Sequence, residues 1–239
     1  MGVDKFRETC RSYGQEISQE LAEKAVYTWR KVHPIIVDCW RSIDDAAKMA
    51  IRNPGKIYVG TPRTGRIRFG MTSKAGFPAL VMILPSGHKL VYPKAKIVPN
   101  WSVFVNRKAN KFSSYAAAVK FCNAKKIDRD QIREGSEINY WGKLPGKGGT
   151  QWGWLSTYGG KLLENATQAV AGDIMTNGAL NAERAGFDIA MLVHDQALAL
   201  FRQGQDHENF PAALCELPAW ADGLPVEAEG GFCKFYQKD

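Results

Sequence analysis

Between Tyr158 and Leu200 the chain carries a long helical repeat and then, past a glycine, two short apolar runs only two residues apart. In GKLLENATQAVAGDIMTNGALNAERA, residues 160–185, the positions Leu162, Ala166, Ala169, Val170 and Ile174 recur at the period of an amphipathic helix. On another face Lys161, Asn165, Gln168 and Gly172 follow at steps of four, three and four. Three hydrogen-bonding side chains and one bare backbone position therefore fall in line. Gly186 suits the residue just past the helix end. The runs FDIAMLV and QALALF then read as two buried strands of an antiparallel hairpin, with His194-Asp195 at the apex. Asp is common in turns, so the dipeptide alone says only that the chain reverses there.

Upstream, Ser18 to Lys31 predicts a helix with Leu21, Ala22, Ala25, Val26 and Trp29 inward, and Pro34 opens a second helix to about Ile51. Trp29 and Trp40 lie on the apolar stripes and are read as core rather than as ligand platforms. Asn53-Pro54-Gly55 ends the helical part. One hairpin is predicted by KIYVG, a PRTG turn and RIRFG; a second by PALVMIL, Pro85-Ser86-Gly87 and HKLVYP.

From Lys94 to Arg133 the signals are mixed and the charge is basic: Lys94, Lys96, Arg107, Lys108, Lys111, Lys120, Lys125, Lys126, Arg129 and Arg133 interleave with Trp101, Phe104, Phe112 and Tyr115. Such a stretch is either a solvated insert or a source of sequence-independent phosphate contacts. The glycine-rich GKLPGKGGT, 142–150, lacks the spacing of a phosphate-binding P-loop and reads as a connection. His33, His88 and His207 have no ligand spacing and form no zinc signature.

With 239 residues the chain can bury a substantial core. A formal charge of +8 and an isoelectric point near 9.2 suit a polyanionic partner. Cys10, Cys39, Cys122, Cys215 and Cys233 form no CxxC pair, consistent with reduced thiols. MGVDKFRETC has no apolar core of a signal peptide, and no apolar run approaches membrane-spanning length, so no membrane partner is expected.

TYGGKLLENATQAVAGDIM followed by MLVHDQALAL resembles the C-terminal part of family A DNA polymerases, in particular the phage-type branch, where HD plus an acid or amide is motif C of the palm. YTWRKVHPIIVDCW resembles the paired helices after the fingers motif, LPSGHKLVYPKAKI the hairpin entering the palm, and LPAWADGLPVEAEGGF a phage-type tail. These segments occur in family order over most of the chain. Two family motifs do not occur: DYSxIExR (motif A), which supplies the other metal-holding aspartate, and RxxxKxxxFGxxYG (motif B), which grips the incoming triphosphate. MGVDKFRETC resembles the sequence just downstream of the second.

The resemblance implies an α+β fold: a palm-type antiparallel sheet with a packed long helix, a helical fingers remnant over 1–55, and a palm-like region over 56–239 with the motif C hairpin and a basic insert at about 94–150. It implies template-directed addition of a deoxynucleotide to a primer 3′ end in DNA replication, with two magnesium ions in the complete enzyme, in the cytoplasm of a phage-infected or prophage-bearing bacterium. Asp195 matches the motif C aspartate and would be a metal ligand. By the same match His194 would help hold the primer end, and Gln196 stands where glutamate is commoner, leaving it a positioning role. Gln168 matches a glutamine that touches the primer–template, and Asn165 lies one place from the usual asparagine. Lys161 joins them by geometry alone, as a phosphate contact. The expected partners are primer–template DNA, a deoxynucleoside triphosphate and an N-terminal polymerase polypeptide that supplies motifs A and B and docks on an apolar surface. The isolated chain is expected to be inactive. The alternatives are an inactive remnant acting as a non-specific DNA-binding module, and a piece of a longer gene whose two further motifs are encoded upstream of Met1.

Overall fold

The structure is a computed structural model that describes residues 2–61, 65–74, 76–105, 108–144, 146, 151–202, 204, 207–232 and 235. Contacts divide the chain into two compact units, one of residues 1–84 and 89–165, the other of residues 85–88 and 166–239.

The larger unit opens with helices α1 (Val3–Ser12), α2 (Gln19–Val32) and α3 (Pro34–Arg52). Two of them start where the sequence places them. The Ser18 hydroxyl accepts from the Leu21 backbone N–H at 3.1 Å as the N-cap of α2, and Pro34 occupies the first turn of α3. The inward face predicted for α2 is corrected: Ala22 is buried, but Leu21 and Trp29 are 53% and 43% exposed. Trp29 instead stacks on the half-buried Trp40 at 5.8 Å and meets His33 at 4.7 Å. The reason is that α3 supplies the core through Ile43, Ala46, Ala47 and Ala50, which leaves the Trp pair at the surface.

Strands β1 (Tyr58–Val59), β2 (Arg68–Thr72), β3 (Ala79–Ile83) and β4 (Lys89–Pro93) form an antiparallel sheet in that order. These are the two predicted hairpins; of the PRTG turn, residues 62–64 lie outside the described residues. Strand β3, ALVMI, is the apolar centre, with Ala79 through Met82 all buried, and Phe69 of β2 is fully enclosed.

The basic stretch folds as β5 (Lys96–Val105), β6 (Lys108–Phe112), helix α4 (Tyr115–Lys125) and β7 (Ile132–Lys143), to which β8 (Trp152–Thr157) adds. Their antiparallel order is β6-β5-β7-β8. Helix α4 covers one face: Ala118 and Cys122 are buried with Val103, and Trp101, Val105, Phe112, Phe121, Ile127 and Ile132 pack around them. Trp101 and Phe112 are thus core, whereas Phe104 and Tyr115 are 54% and 53% exposed. Arg107 lies outside the described residues, as do 145 and 147–150 of the glycine-rich connection.

Helix α5 (Gly159–Arg184) begins in the larger unit and continues in the smaller. Its first N–H, from Gly159, donates to Asp44 Oδ1 at 3.0 Å, and Lys48 pairs with the other carboxylate oxygen at 2.7 Å. In the smaller unit, β9 (Asp188–Val193) and β10 (Gln196–Leu200) make a separate two-stranded antiparallel sheet, and α6 (Asn209–Cys215) follows. Asn177 and Asn181 of α5 both donate to the Glu216 carbonyl oxygen, at 2.8 and 3.1 Å. Phe187, Phe201, Phe210 and Phe232 form a chain of ring contacts. Among the described residues no helix is long and apolar enough to cross a membrane.

Candidate functional site

The hairpin turns on two residues, as the sequence predicts: Val193 pairs with Gln196 and His194-Asp195 form the apex. His194 adopts φ 54°, the left-handed region that a branched or bulky side chain enters only at a cost. Asp195 is exposed, with no hydrogen bond or ion pair among the described residues. Gln196, the first residue of β10, is half-buried.

The expectation of two buried strands is corrected. Asp188, Ala190, Met191 and Leu192 of β9 are exposed, β10 is half-buried, and Leu200 is 62% exposed. Two causes combine. The hairpin pairs with no third strand among the described residues, and its register shifts between Leu198 and Ala199, so Ala190 is a bulge that interrupts the alternation of faces. Met191 and Leu192 are 42% and 43% exposed, apolar side chains left partly uncovered among the described residues.

On α5 the predicted polar stripe is present. Lys161, Asn165, Gln168 and Gly172 are all exposed, while Leu162 and Ala166 of the apolar stripe are buried. The stripe's members differ in their engagement. Asn165 donates to the Tyr92 hydroxyl at 3.0 Å, and Lys161 donates to the Ser156 carbonyl oxygen at 3.3 Å with its ammonium 6.0 Å from the Tyr158 ring. Gln168 makes no such bond among the described residues. Burial pushes the Tyr92 phenol above its ordinary range, with the Asn165 hydrogen bond opposing and neighbouring Tyr140 adding to the rise. No hydrogen bond joins Asp195 to Gln168 among the described residues.

Other carboxylates do not gather at the apex along the hairpin. Asp188 pairs with Leu200 at its open end, seven residues from Asp195, or roughly 20 Å at about 3.3 Å per residue. Asp173 is occupied: it accepts from Ser86 Oγ at 2.5 Å and contacts His88 Nδ1 at 2.9 Å. Sequence spacing could not show this cluster, because Asp173 is 85 residues from His88. Its chemistry is that of a clasp: the serine hydroxyl is committed to the carboxylate rather than to the imidazole, which is the wrong order for a nucleophile and base. No group of three or more His, Cys, Asp or Glu among the described residues could hold a metal. Cys10, Cys39, Cys122 and Cys215 are free thiols, and burial raises the Cys39 pKa; Cys233 lies outside the described residues.

Compared with known proteins, the chain is similar to a DNA polymerase of Bacillus phage SP02, 29% identical over 215 residues. The match covers 90% of this chain and 27% of the polymerase, so the chain spans about a quarter of the length of that relative. No family model matches the chain, and no solved structure does. The chain is therefore related in sequence to a phage DNA polymerase over nearly its whole length.

Proposed function

We propose that the chain is the C-terminal part of a DNA-directed DNA polymerase of the phage-type family A branch, acting together with DYSxIExR and RxxxKxxxFGxxYG segments that lie outside these 239 residues. The observation that carries this reading is a coincidence: the similarity to a phage polymerase runs through an exposed, unpaired carboxylate at the tip of a two-residue turn. Asp195 offers hard oxygen donors with no competing hydrogen bond or ion pair among the described residues. A magnesium ion usually takes one or two carboxylates and fills the rest of its shell with water and substrate phosphates, so the exposed Asp195 carboxylate suits one of the two carboxylate positions of such a site. Two such ions, when bound, supply the charge that stabilises the attacking and leaving oxygens of phosphoryl transfer.

The remaining roles belong to the chain's own side chains. His194, kept in the left-handed region where Gly or Asn would sit more easily, projects beside Asp195 and holds the primer terminus. Gln196 carries no charge and positions its neighbours. Gln168 is free to meet the primer–template, Asn165 is oriented by Tyr92, and Lys161 keeps further N–H donors for a phosphate after bonding Ser156. With one carboxylate at the apex and no triphosphate-gripping helix, the isolated chain does not extend primers. Within the smaller unit, the edges of β9 and β10, unpaired among the described residues, and the exposed Met191, Leu192 and Leu200 support docking of a partner segment there.

The test is reconstitution. Mixed with a polypeptide bearing the two missing motifs, the chain should extend a primer in magnesium, and Asp195→Ala should abolish that extension. Extension that survives the substitution removes Asp195 from the reaction. Salt-sensitive primer–template binding with no extension from any such mixture marks an inactive DNA-binding remnant instead.

A further inference from the structure

We infer that the face of the β6-β5-β7-β8 sheet opposite α4 is a stacking platform for single-stranded DNA. Strand register fixes which side chains share it. Trp154 pairs with Trp141 and Trp152 with Lys143; Lys96 pairs with Asn139; Ser102 pairs with both Arg133 and Lys111. All of these lie on one side of the pleat, because each strand alternates and Val103, Trp101 and Ile132 point the other way into the α4 core. Helix α4 thus occupies one face and leaves an aromatic, basic surface on the other.

That surface is open. Trp152 and Trp154 are 58% and 45% exposed, and Lys96, Lys111, Arg133 and Lys143 are exposed with no carboxylate partner among the described residues. The acid aligned with them is the half-buried Glu137, opposite Val98. The Lys96 ammonium stands 3.7 Å from the Trp154 ring centroid and Lys94 stands 5.5 Å from that of Trp141, so cation and indole are already paired as they are where bases stack and phosphates are held. Trp154 also meets the half-buried Trp141 edge-on at 5.5 Å, so the indoles cluster on this face.

Two features select a single strand. A four-stranded sheet with helix on one face and aromatics on the other offers bases a flat surface, which paired bases cannot use because they stack on each other. Trp152 and Trp154 are two residues apart, roughly 6.6 Å along the strand, about twice the 3.4 Å rise of stacked bases. Unpaired, unstacked nucleotides match that spacing. The choice of DNA over RNA rests on the polymerase reading above, whereas the platform does not depend on Asp195.

Fluorescence anisotropy of a labelled oligo(dT) should report salt-sensitive binding to the full chain. Trp154→Ala and Trp152→Ala should each weaken it by roughly 5- to 150-fold. Lys96→Gln with Lys111→Gln, surface changes that leave the core intact, should weaken binding and flatten its salt dependence by about one to two units of slope. Lys120→Gln with Lys125→Gln removes as much charge from α4, on the far side, and should change affinity less than twofold. Equal losses from both lysine pairs would overturn the platform in favour of diffuse basicity. Duplex DNA bound as tightly as oligo(dT), with the same tryptophan dependence, would overturn the single-strand assignment, and oligo(rU) bound equally would overturn the choice of DNA. Because these are binding measurements made without a partner polypeptide, their failure is separable from failure of primer extension.

Discussion

Replacing glycines of α5 by alanine should shift stability in opposite directions along one helix. An added methyl ordinarily favours an interior helical position by about 0.5–1 kcal/mol. At Gly172 a Cβ would meet nothing within 4 Å, so Gly172→Ala should stabilise by that amount. At Gly159 the Cβ would lie 1.7 Å from the Trp40 carbonyl oxygen, a distance that must double to reach ordinary contact at 3.4 Å. Backbone cannot rotate away as a side chain does, so the start of α5 must withdraw from α3. Withdrawal stretches the 3.0 Å bond from Gly159 N–H to the Asp44 carboxylate, a charged hydrogen bond of about 1.5–3 kcal/mol. Overpacking adds about 1–3 kcal/mol, and the propensity gain returns less than about 1. The net cost is roughly 2–5 kcal/mol, a fall in Tm of about 4–20 °C for a chain of this size. Thermal melts by circular dichroism would show it. A Gly159→Ala protein that melts at or above the parent, beside a Gly172→Ala protein that melts lower, would refute the seat assigned to the helix start.

Tyr92→Phe should cost about 0.5–1.5 kcal/mol at neutral pH by removing the Asn165 bond. Because burial raises the Tyr92 pKa, the folded protein keeps that proton longer than the unfolded chain; the stability is fully present below pH about 10 and lost as pH rises through the folded value. Urea titrations should therefore show the parent losing stability above pH about 10 more steeply than Tyr92→Phe. Asp173→Ala, which strips acceptors from Ser86 and His88, should cost roughly 1–3 kcal/mol in the same titrations. Asp195→Asn should change stability by less than about 0.5 kcal/mol, since the side chain is exposed and unbonded, and a larger loss would mean that Asp195 holds the fold.

The contrast between neighbouring elements shows how far the amino-acid order reaches. Ser18 and Pro34 set helix starts because capping and a fixed φ are local, and the period from Leu162 to Ile174 announces α5 without any partner. The two-residue reversal at His194-Asp195 is equally local. Burial is not. Leu21 and Trp29 sit on an apolar stripe yet face water, because α3 rather than α2 fills the core, and Met191, Leu192 and Leu200 are exposed although their strands read as enclosed, while Phe187 at the hairpin's open end is buried.

The candidate site divides along the same line. Order along the chain determined that a carboxylate stands at a hairpin apex and that Lys161, Asn165, Gln168 and Gly172 share a helix face, since two-residue turns and 3.6-residue periods need only near neighbours. Tertiary structure alone decided that Asp173 is taken by Ser86 and His88, that Asn165 rests on Tyr92, and that Trp154 surfaces beside Lys96 and Trp152 beside Lys143 while Trp101 packs half-buried against the α4 core. Those outcomes depend on strand register and on which face a helix covers, quantities set by residues tens of positions apart that no local spacing encodes.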